Sequence, residues 1–320
     1  MDVSAKILPP PDAFRALSGI ATPHLQTFGG HFYAPPLGFG DNKKLVIATT
    51  DNDHIEAYED RPSFGIDPRG TAVLLHGISG SARSNYLMTL SPKLTRSGFI
   101  VLRINHRGAG KSASKGIYHA GSAADVATVT SYMINRYCGL PCWVVGFSLS
   151  GAMLLNAVAD LPEMSAAAGA IAVCAPLDLS QSAAHLLKPA NAVIHRFFVR
   201  RLIRRVKRQY NADLRAHMSI VEFDHEFTAP RAGFRSGAHY YEQCSPRPKL
   251  HRSQCPVFIL AAQDDPIIPW TAFDPSEIPA NLTVSSPQGG GHMGFLSQNK
   301  TPFGDRRWMD WQIMSWILSR

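Results

Sequence analysis

The most constraining feature of this sequence is an alternation. Short apolar runs at 71–77 (TAVLLHG), 99–105 (FIVLRIN), 142–148 (CWVVGFS), 170–175 (AIAVCA) and 257–261 (VFILA) are interleaved with helix-spaced stretches at 83–97, 122–137 and 149–160. Strands that read apolar on both faces belong inside a layered structure, covered by helices. Strand, helix, strand in succession builds right-handed βαβ crossovers, so the expected class is α/β with a mainly parallel central sheet. Residues 44–50 and 54–59, joined by Asp51-Asn52-Asp53, read as an antiparallel hairpin at the sheet edge. Ser122-Ala-Ala-Asp125 has the spacing of a capping box and marks the start of the second helix.

The pattern changes over 177–250, where the chain turns helical, basic and aromatic before the next strand. That predicts a helical cap inserted into one domain spanning 1–320. Nothing reads as a linker or an internal repeat, and 320 residues with 45% hydrophobic content can bury a large core. Within the cap, residues 196–210 place Phe198, Leu202, Ile203, Val206 and Tyr210 near one face and cations on the other. Much of the net charge of +8 is concentrated there, in Arg196, Arg200, Arg201, Arg204, Arg205, Lys207 and Arg208. A solvated basic face is one reading and peripheral contact with an anionic membrane surface is another. Nucleic acid is not expected as a partner.

Five cysteines form an odd, dispersed set with no C-x-x-C pair, which argues against a disulfide framework and against a zinc site. Cys142 and Cys174, inside strand-like runs, read as buried thiols. The first fourteen residues lack the uninterrupted apolar run of a signal peptide, and no stretch reaches the roughly 18 consecutive apolar residues of a membrane span. A soluble, cytoplasmic protein is the expectation.

The chemistry is carried by three loops. Gly146-Phe147-Ser148-Leu149-Ser150-Gly151 lies where a strand gives way to a helix. A sharp turn there exposes the Ser148 hydroxyl and aims the next backbone N–H groups at a developing oxyanion. Small neighbours are needed, and Ser150 stands in the place of the second glycine of G-x-S-x-G. After the apolar run 257–261 comes Gln263-Asp264-Asp265-Pro266, with two carboxylates either of which could orient a histidine. His292, in the glycine-rich stretch Gly289-Gly290-Gly291-His292-Met293-Gly294, then supplies a base in the chain order serine, acid, histidine. His76-Gly77-Ile78-Ser79-Gly80 resembles an H-G-x-x-G oxyanion loop, so the N–H groups of Ile78 and Leu149 are the expected oxyanion donors.

Taken together the segments resemble the YheT-like branch of the α/β-hydrolases, whose animal relatives are lipid-handling ABHD proteins. The resemblance covers nearly the whole chain. It includes Pro23-His24-Leu25-Gln26-Thr27, Asn105-His106-Arg107-Gly108, Tyr118-His119-Ala120-Gly121 with Asp125, and Phe223-Asp224-His225-Glu226-Phe227-Thr228-Ala229-Pro230 followed by Tyr240-Tyr241 and Ser245. It implies the α/β-hydrolase fold and a triad of Ser148, Asp265 and His292, because the Asp265-x-Ile-x-Pro turn is similar to the family's acid turn; Asp264 is the alternative. It implies hydrolysis of carboxylic esters, such as acylglycerols or short acyl esters, with no metal or organic cofactor. Ser150 and Ala152 depart from the family's usual glycine and asparagine. Acyl transfer or thioester hydrolysis on the same triad, and a non-catalytic binding protein of the same fold, are the competing readings.

Overall fold

Each apolar run becomes a strand because its side chains are covered on both faces. The computed structural model describes residues 11–33, 43–110, 112–273 and 278–320. The signal-peptide reading of the N-terminus falls mainly on residues outside that set. Eight strands form one sheet: β1 (Lys43–Ala48), β2 (His54–Asp60), β3 (Gly70–Leu75), β4 (Phe99–Asn105), β5 (Cys142–Phe147), β6 (Gly169–Val173), β7 (Val257–Leu260) and β8 (Leu282–Ser285). Their order is β1-β2-β4-β3-β5-β6-β7-β8. β1 pairs antiparallel with β2, and β2 antiparallel with β4; every other pairing is parallel. The expected edge hairpin is thus β1 and β2, turned at Asn52 with φ 60°. Exposed Lys43 and Lys44 on the outer strand discourage pairing with another chain.

The helices divide between the two faces. On one, α3 (Ala123–Arg136) and α4 (Leu149–Asp160) pack Val126, Val129, Met133, Leu154 and Val158 against Val73, Leu75 and Val144. On the other, α2 (Asn85–Arg96) and α10 (Trp308–Leu318) cover Leu74, Val101 and Val145 with Leu87, Leu90, Trp311 and Met314. Strand residues alternate between the two cores, as a pleat requires. α10 is mostly apolar and buried, broken only by Asp310, Gln312 and Ser315, so its amphipathic stripe is weak. At the N-terminal end α1 (Pro23–Phe32) is capped by the Thr22 hydroxyl.

The chain leaves the sheet after β6 and returns at β7. In between lie α5 (Leu179–Leu186), α6 (Ala192–Tyr210), α7 (Ile220–Phe223), a π-helical turn over Asp224–Thr228, α8 (Ala229–Arg231) and α9 (Gly237–Cys244). α6 buries Ile194, Val199, Leu202, Ile203 and Val206 and exposes its cations; Phe198 and Tyr210 are only half-buried. The capping box expected at Ser122 does not form, although the helix does begin at Ala123. Ser122 Oγ instead accepts from His119 N–H, and the Asp125 carboxylate is drawn away by Arg107 at 2.6 and 2.9 Å. A genuine capping box closes at Ser219 and Glu222. All five cysteines are free thiols, four of them buried. No helix among the described residues is long and apolar enough to cross a membrane.

Arg103, in the middle of β4, is 1% exposed. Its Nε and Nη2 donate to Asp60 at 2.6 and 2.9 Å, and its Nη1 donates to the Ala82 carbonyl at 2.5 Å. This bidentate pair joins β2 to β4 and anchors the loop that follows β3. Removing the carboxylate strands a buried guanidinium, so Asp60→Ala is expected to cost about 3–5 kcal/mol of stability, read as a lowered midpoint in denaturant unfolding.

Candidate active site

β5 ends at Phe147, and the backbone reverses into α4 through Ser148 at φ 54° and ψ −122°. That region is costly for a side-chain-bearing residue and persists only where its surroundings enforce it. Enforcement comes from Ser148 N–H donating to the Val173 carbonyl at 2.8 Å and from Gly151 N–H donating to Ser148 O at 2.8 Å. A Cβ on Gly146 would lie 2.4 Å from the Ser150 carbonyl, so only glycine lets the strand and helix backbones close.

Ser148, Asp265 and His292 meet at this turn. His292 Nε2 lies 2.9 Å from Ser148 Oγ, and its Nδ1 lies 2.8 Å from Asp265 Oδ2. Asp265 and His292 are buried, which strengthens their interaction by excluding water. Asp265 is itself held, its Oδ1 accepting from the N–H groups of Ile267 and Ile268 at 2.8 and 3.0 Å. The neighbouring carboxylate faces elsewhere. Asp264 Oδ1 accepts from Gly291 N–H at 2.8 Å, so this acid secures the histidine loop from outside while Asp265 meets the imidazole. Burial raises the Asp264 pKa.

The histidine loop has a second support that sequence reasoning missed. α1 lies across it: Thr27 Oγ1 accepts from His292 N–H at 2.9 Å, and the Gln26 side chain exchanges hydrogen bonds with the Leu296 backbone at 3.1 and 2.8 Å. Gly291, at φ 57°, passes so close that a Cβ would sit 2.3 Å from the Pro23 carbonyl. The Pro23-His24-Leu25-Gln26-Thr27 string is a clamp on the histidine loop. Its polar residues at positions otherwise destined for burial, Gln26 and Thr27, were the available signal.

The two expected oxyanion donors are unengaged. In the loop after β3, Gly77 N–H donates to Tyr86 OH at 2.9 Å, Ser79 N–H to Tyr118 OH at 2.8 Å and Gly80 N–H to Gly77 O at 3.1 Å. Ile78 N–H donates to none of the described residues, nor does Leu149 N–H at the first position of α4. Both residues line the same cavity as Ser148.

Ser150, the departure from glycine, has a partner. Its hydroxyl donates to the His76 carbonyl at the end of β3 and lies 2.7 Å from His106 Nε2. His106 N–H in turn donates to His76 Nε2 at 3.3 Å. Burial lowers both imidazoles, His106 to about 3, so each stays neutral and the network carries no charge. Ser150 therefore ties the start of α4 to the oxyanion loop. Ala152 sits in an apolar cluster with Ala120, Leu179 and Tyr240.

Among the described residues, Cys174, Asp265 and His292 are the one grouping with metal-ligand potential, their donor atoms within 4.8 Å of one another. Burial raises the Cys174 thiol far above its usual range, keeping it in the protonated form that does not ligate. Asp265 occupies one nitrogen of the imidazole and Ser148 faces the other.

Two cavities open from Ser148. One is apolar and runs under the helices between β6 and β7, walled by Ile78, Leu149, Phe198, Val199, Leu202 and Phe223. Asp224 lies at its wall, buried, accepting from Thr228 Oγ1 and Tyr241 OH at 2.7 Å each; desolvation lifts its pKa to about 6. These bonds join the Phe223–Pro230 string to Tyr240-Tyr241. The other cavity is polar, is lined by His31, Ser79, Ser84, Asn85 and Arg201, and also reaches His292.

A mostly parallel eight-stranded sheet with a strand-to-helix serine turn at its C-terminal edge is the architecture of an α/β-hydrolase. The chain belongs to the Hydrolase_4 family of that superfamily: residues 66–274 match the family model described as "Serine aminopeptidase, S33". It is similar to YheT of Escherichia coli strain K12, 26% identical over 324 residues, covering 96% of this chain and 93% of that protein. Human phospholipase ABHD3 is 24% identical over 274 residues, 80% of this chain and 64% of its own length. The monoacylglycerol lipase of Saccharomyces cerevisiae is 24% identical over 269 residues, 76% of this chain and 57% of its own length. The solved structure of the esterase Pf2001 from Pyrococcus furiosus shares the fold, with a TM-score of 0.56 at 14% identity over 90% of this chain and 91% of that one. The chain is thus an α/β-hydrolase of the YheT-like branch, similar over most of its length to proteins named as esterases and lipases.

Replacing Ser150 with alanine leaves His76 O and His106 Nε2 without the hydroxyl between them. The expected loss is about 1–3 kcal/mol in chemical unfolding. Stability should also fall from about pH 7 to about pH 5. His76, His106 and His119 have folded pKa values below the ordinary 6.5, with His119 near 4, so below 6.5 the unfolded chain takes up protons that the native state refuses. Each costs on the order of 2 kcal/mol by about pH 5. Asp224, raised from 3.8 to about 6, acts in the opposite sense over that window and returns about 1 kcal/mol. Thermal unfolding as a function of pH measures the net decline.

Proposed function

We propose that this protein is a serine hydrolase that cleaves carboxylic esters through an acyl-enzyme on Ser148. The observation that carries the reading is the continuous hydrogen-bonded line Asp265, His292, Ser148, at 2.8 and 2.9 Å, beside two unengaged backbone N–H groups. Ser148 Oγ attacks the ester carbonyl carbon as its proton passes to His292 Nε2. Asp265 accepts from Nδ1–H, holding the reactive tautomer and stabilising the imidazolium. The carbonyl oxygen, now an oxyanion, receives hydrogen bonds from Ile78 and Leu149 N–H. Collapse expels the alcohol, which takes the proton from His292. A water deprotonated by the same imidazole then attacks the acyl-enzyme, and the carboxylic acid leaves with Ser148 restored. The chain's own residues supply nucleophile, base and electrophilic donors, so no cofactor enters these steps.

The cavities support an amphiphilic substrate. An acyl chain fits the apolar cavity, and the alcohol portion fits the polar one beside Ser84 and Asn85. Acylglycerols and simple acyl esters have this form, and the yeast relative named monoacylglycerol lipase is in keeping with it. The five free thiols suit a reducing, cytoplasmic setting.

A fluorophosphonate probe should label the wild type and fail to label Ser148→Ala. Both Ser148→Ala and Asp265→Asn should lose about 10⁴-fold in kcat on p-nitrophenyl esters. Over a chain-length series, kcat/KM should rise roughly two- to fourfold per methylene until the apolar cavity is filled. A folded wild type that takes no label would point instead to a binding protein, and ester formation exceeding acid release, with alcohol present, to a transferase.

A further inference from the structure

The six exposed cations of α6 have no acidic partner among the described residues. Arg196, Arg200, Arg201, Arg204, Lys207 and Arg208 all project to solvent from a 19-residue helix that contains no acid. None of them forms an ion pair among the described residues. Their field reaches the neighbouring histidines: after burial, Arg201 is the next cause lowering His31, and Arg196 the next lowering His195. A cluster of like charges destabilises the folded state unless something anionic neutralises it.

The same surface carries exposed apolar side chains. Val193, on the α6 face that bears the cations, is 66% exposed, and Phe32 at the end of α1 is 62% exposed. Phe197 joins the two helices, its ring 5.5 Å from Phe28 and 6.2 Å from Phe32, with Arg201 over it at 5.4 Å. Leu25, on the same helix as Phe32, adds further exposed apolar area. Phe32 and Arg201 also line the polar cavity that reaches Ser148 and His292. Arg201 and Phe32 thus put one cation and one exposed ring of this surface at the rim of that cavity.

We propose that α1 and α6 form a docking face for the surface of an anionic lipid bilayer, with the mouth of the Ser148 cavity opening onto it. Cations on a helix flanked by protruding valine and phenylalanine match the interface, where phosphate headgroups lie above acyl chains. A nucleic acid offers the phosphates but no apolar layer for Phe32 and Val193. The consequence for substrate delivery, that an ester dissolved in the bilayer enters directly, rests on the hydrolase reading above; the docking itself does not.

The test is cosedimentation of the full chain with phosphatidylcholine vesicles containing roughly one-third phosphatidylglycerol, against vesicles of phosphatidylcholine alone. The wild type should pellet with the anionic vesicles only, and release at roughly 0.5 M salt. Arg196→Gln/Arg200→Gln/Arg204→Gln should bind those vesicles on the order of 100-fold more weakly, while hydrolysing a soluble short-chain ester at the wild-type rate. Should that variant not fold, Lys207→Gln/Arg208→Gln tests the other end of the same face. Val193→Ser should weaken vesicle binding severalfold and leave retention on duplex DNA unchanged. Equal pelleting with neutral vesicles, wild-type binding by the glutamine variants, or retention on DNA without vesicle binding would each overturn the proposal. Ser148→Ala should pellet like the wild type, whereas a wild type that binds the anionic vesicles but hydrolyses no ester would remove the catalytic reading and leave the docking face standing.

Discussion

The left-handed backbone at Ser148 is the constraint on which the site depends. A side chain forced to φ 54° relaxes unless the strand before it and the helix after it are both immobile. Immobility is supplied by the sheet. β5 is its central parallel strand, paired with β3 on one side and β6 on the other, and all six of its residues are buried. Packing on both faces converts hydrophobic burial, worth about 1.5–3 kcal/mol per large side chain, into a rigid seat for one strained residue. Gly146 is the position where the sequence yields to that seat.

Around it, each functional group is held by a different piece of chain. The β3 loop holds Ile78 by engaging the amides of its neighbours with two tyrosine hydroxyls, which leaves one N–H available by elimination. The β7 loop separates two adjacent carboxylates, turning Asp265 inward and Asp264 toward the histidine loop. The helical excursion between β6 and β7 contributes the apolar wall, and α6 fastens itself to the loops after β4 and β3 through Arg205, whose Nε and Nη1 donate to the carbonyls of Gly108 and Gly80 at 3.0 and 3.1 Å. That one side chain links the basic helix to the oxyanion loop.

What could be read from the sequence follows from where the information is local. Strands buried on both faces announce themselves as unbroken apolar runs, and the serine, the acids and the histidine all lie just beyond the ends of such runs. The distances among them could not be read, since they depend on parallel register. The reading of Ser122 and Asp125 failed because Asp125 pairs with Arg107, eighteen residues back, a preference that no short spacing reveals. Ser150 appeared merely small enough for its turn, whereas its hydroxyl serves a carbonyl and an imidazole from two other strands' ends. α10 shows only a weak periodicity because its few polar residues are scattered among apolar ones, and the grip of α1 on the histidine loop joins residues 265 positions apart.

That last separation bears on when the molecule becomes competent. The His292 backbone rests on Thr27 and the adjoining loop on Gln26, so the imidazole acquires its position only once α1 and the loop after β8 have met. Contacts of such long range form late, after local elements are in place. A partly synthesised chain would already display the seated serine of β5 and α4, yet lack the imidazole that faces it. The meeting of Ser148, Asp265 and His292 is thereby withheld until the fold is whole, an order of assembly that arises from topology alone.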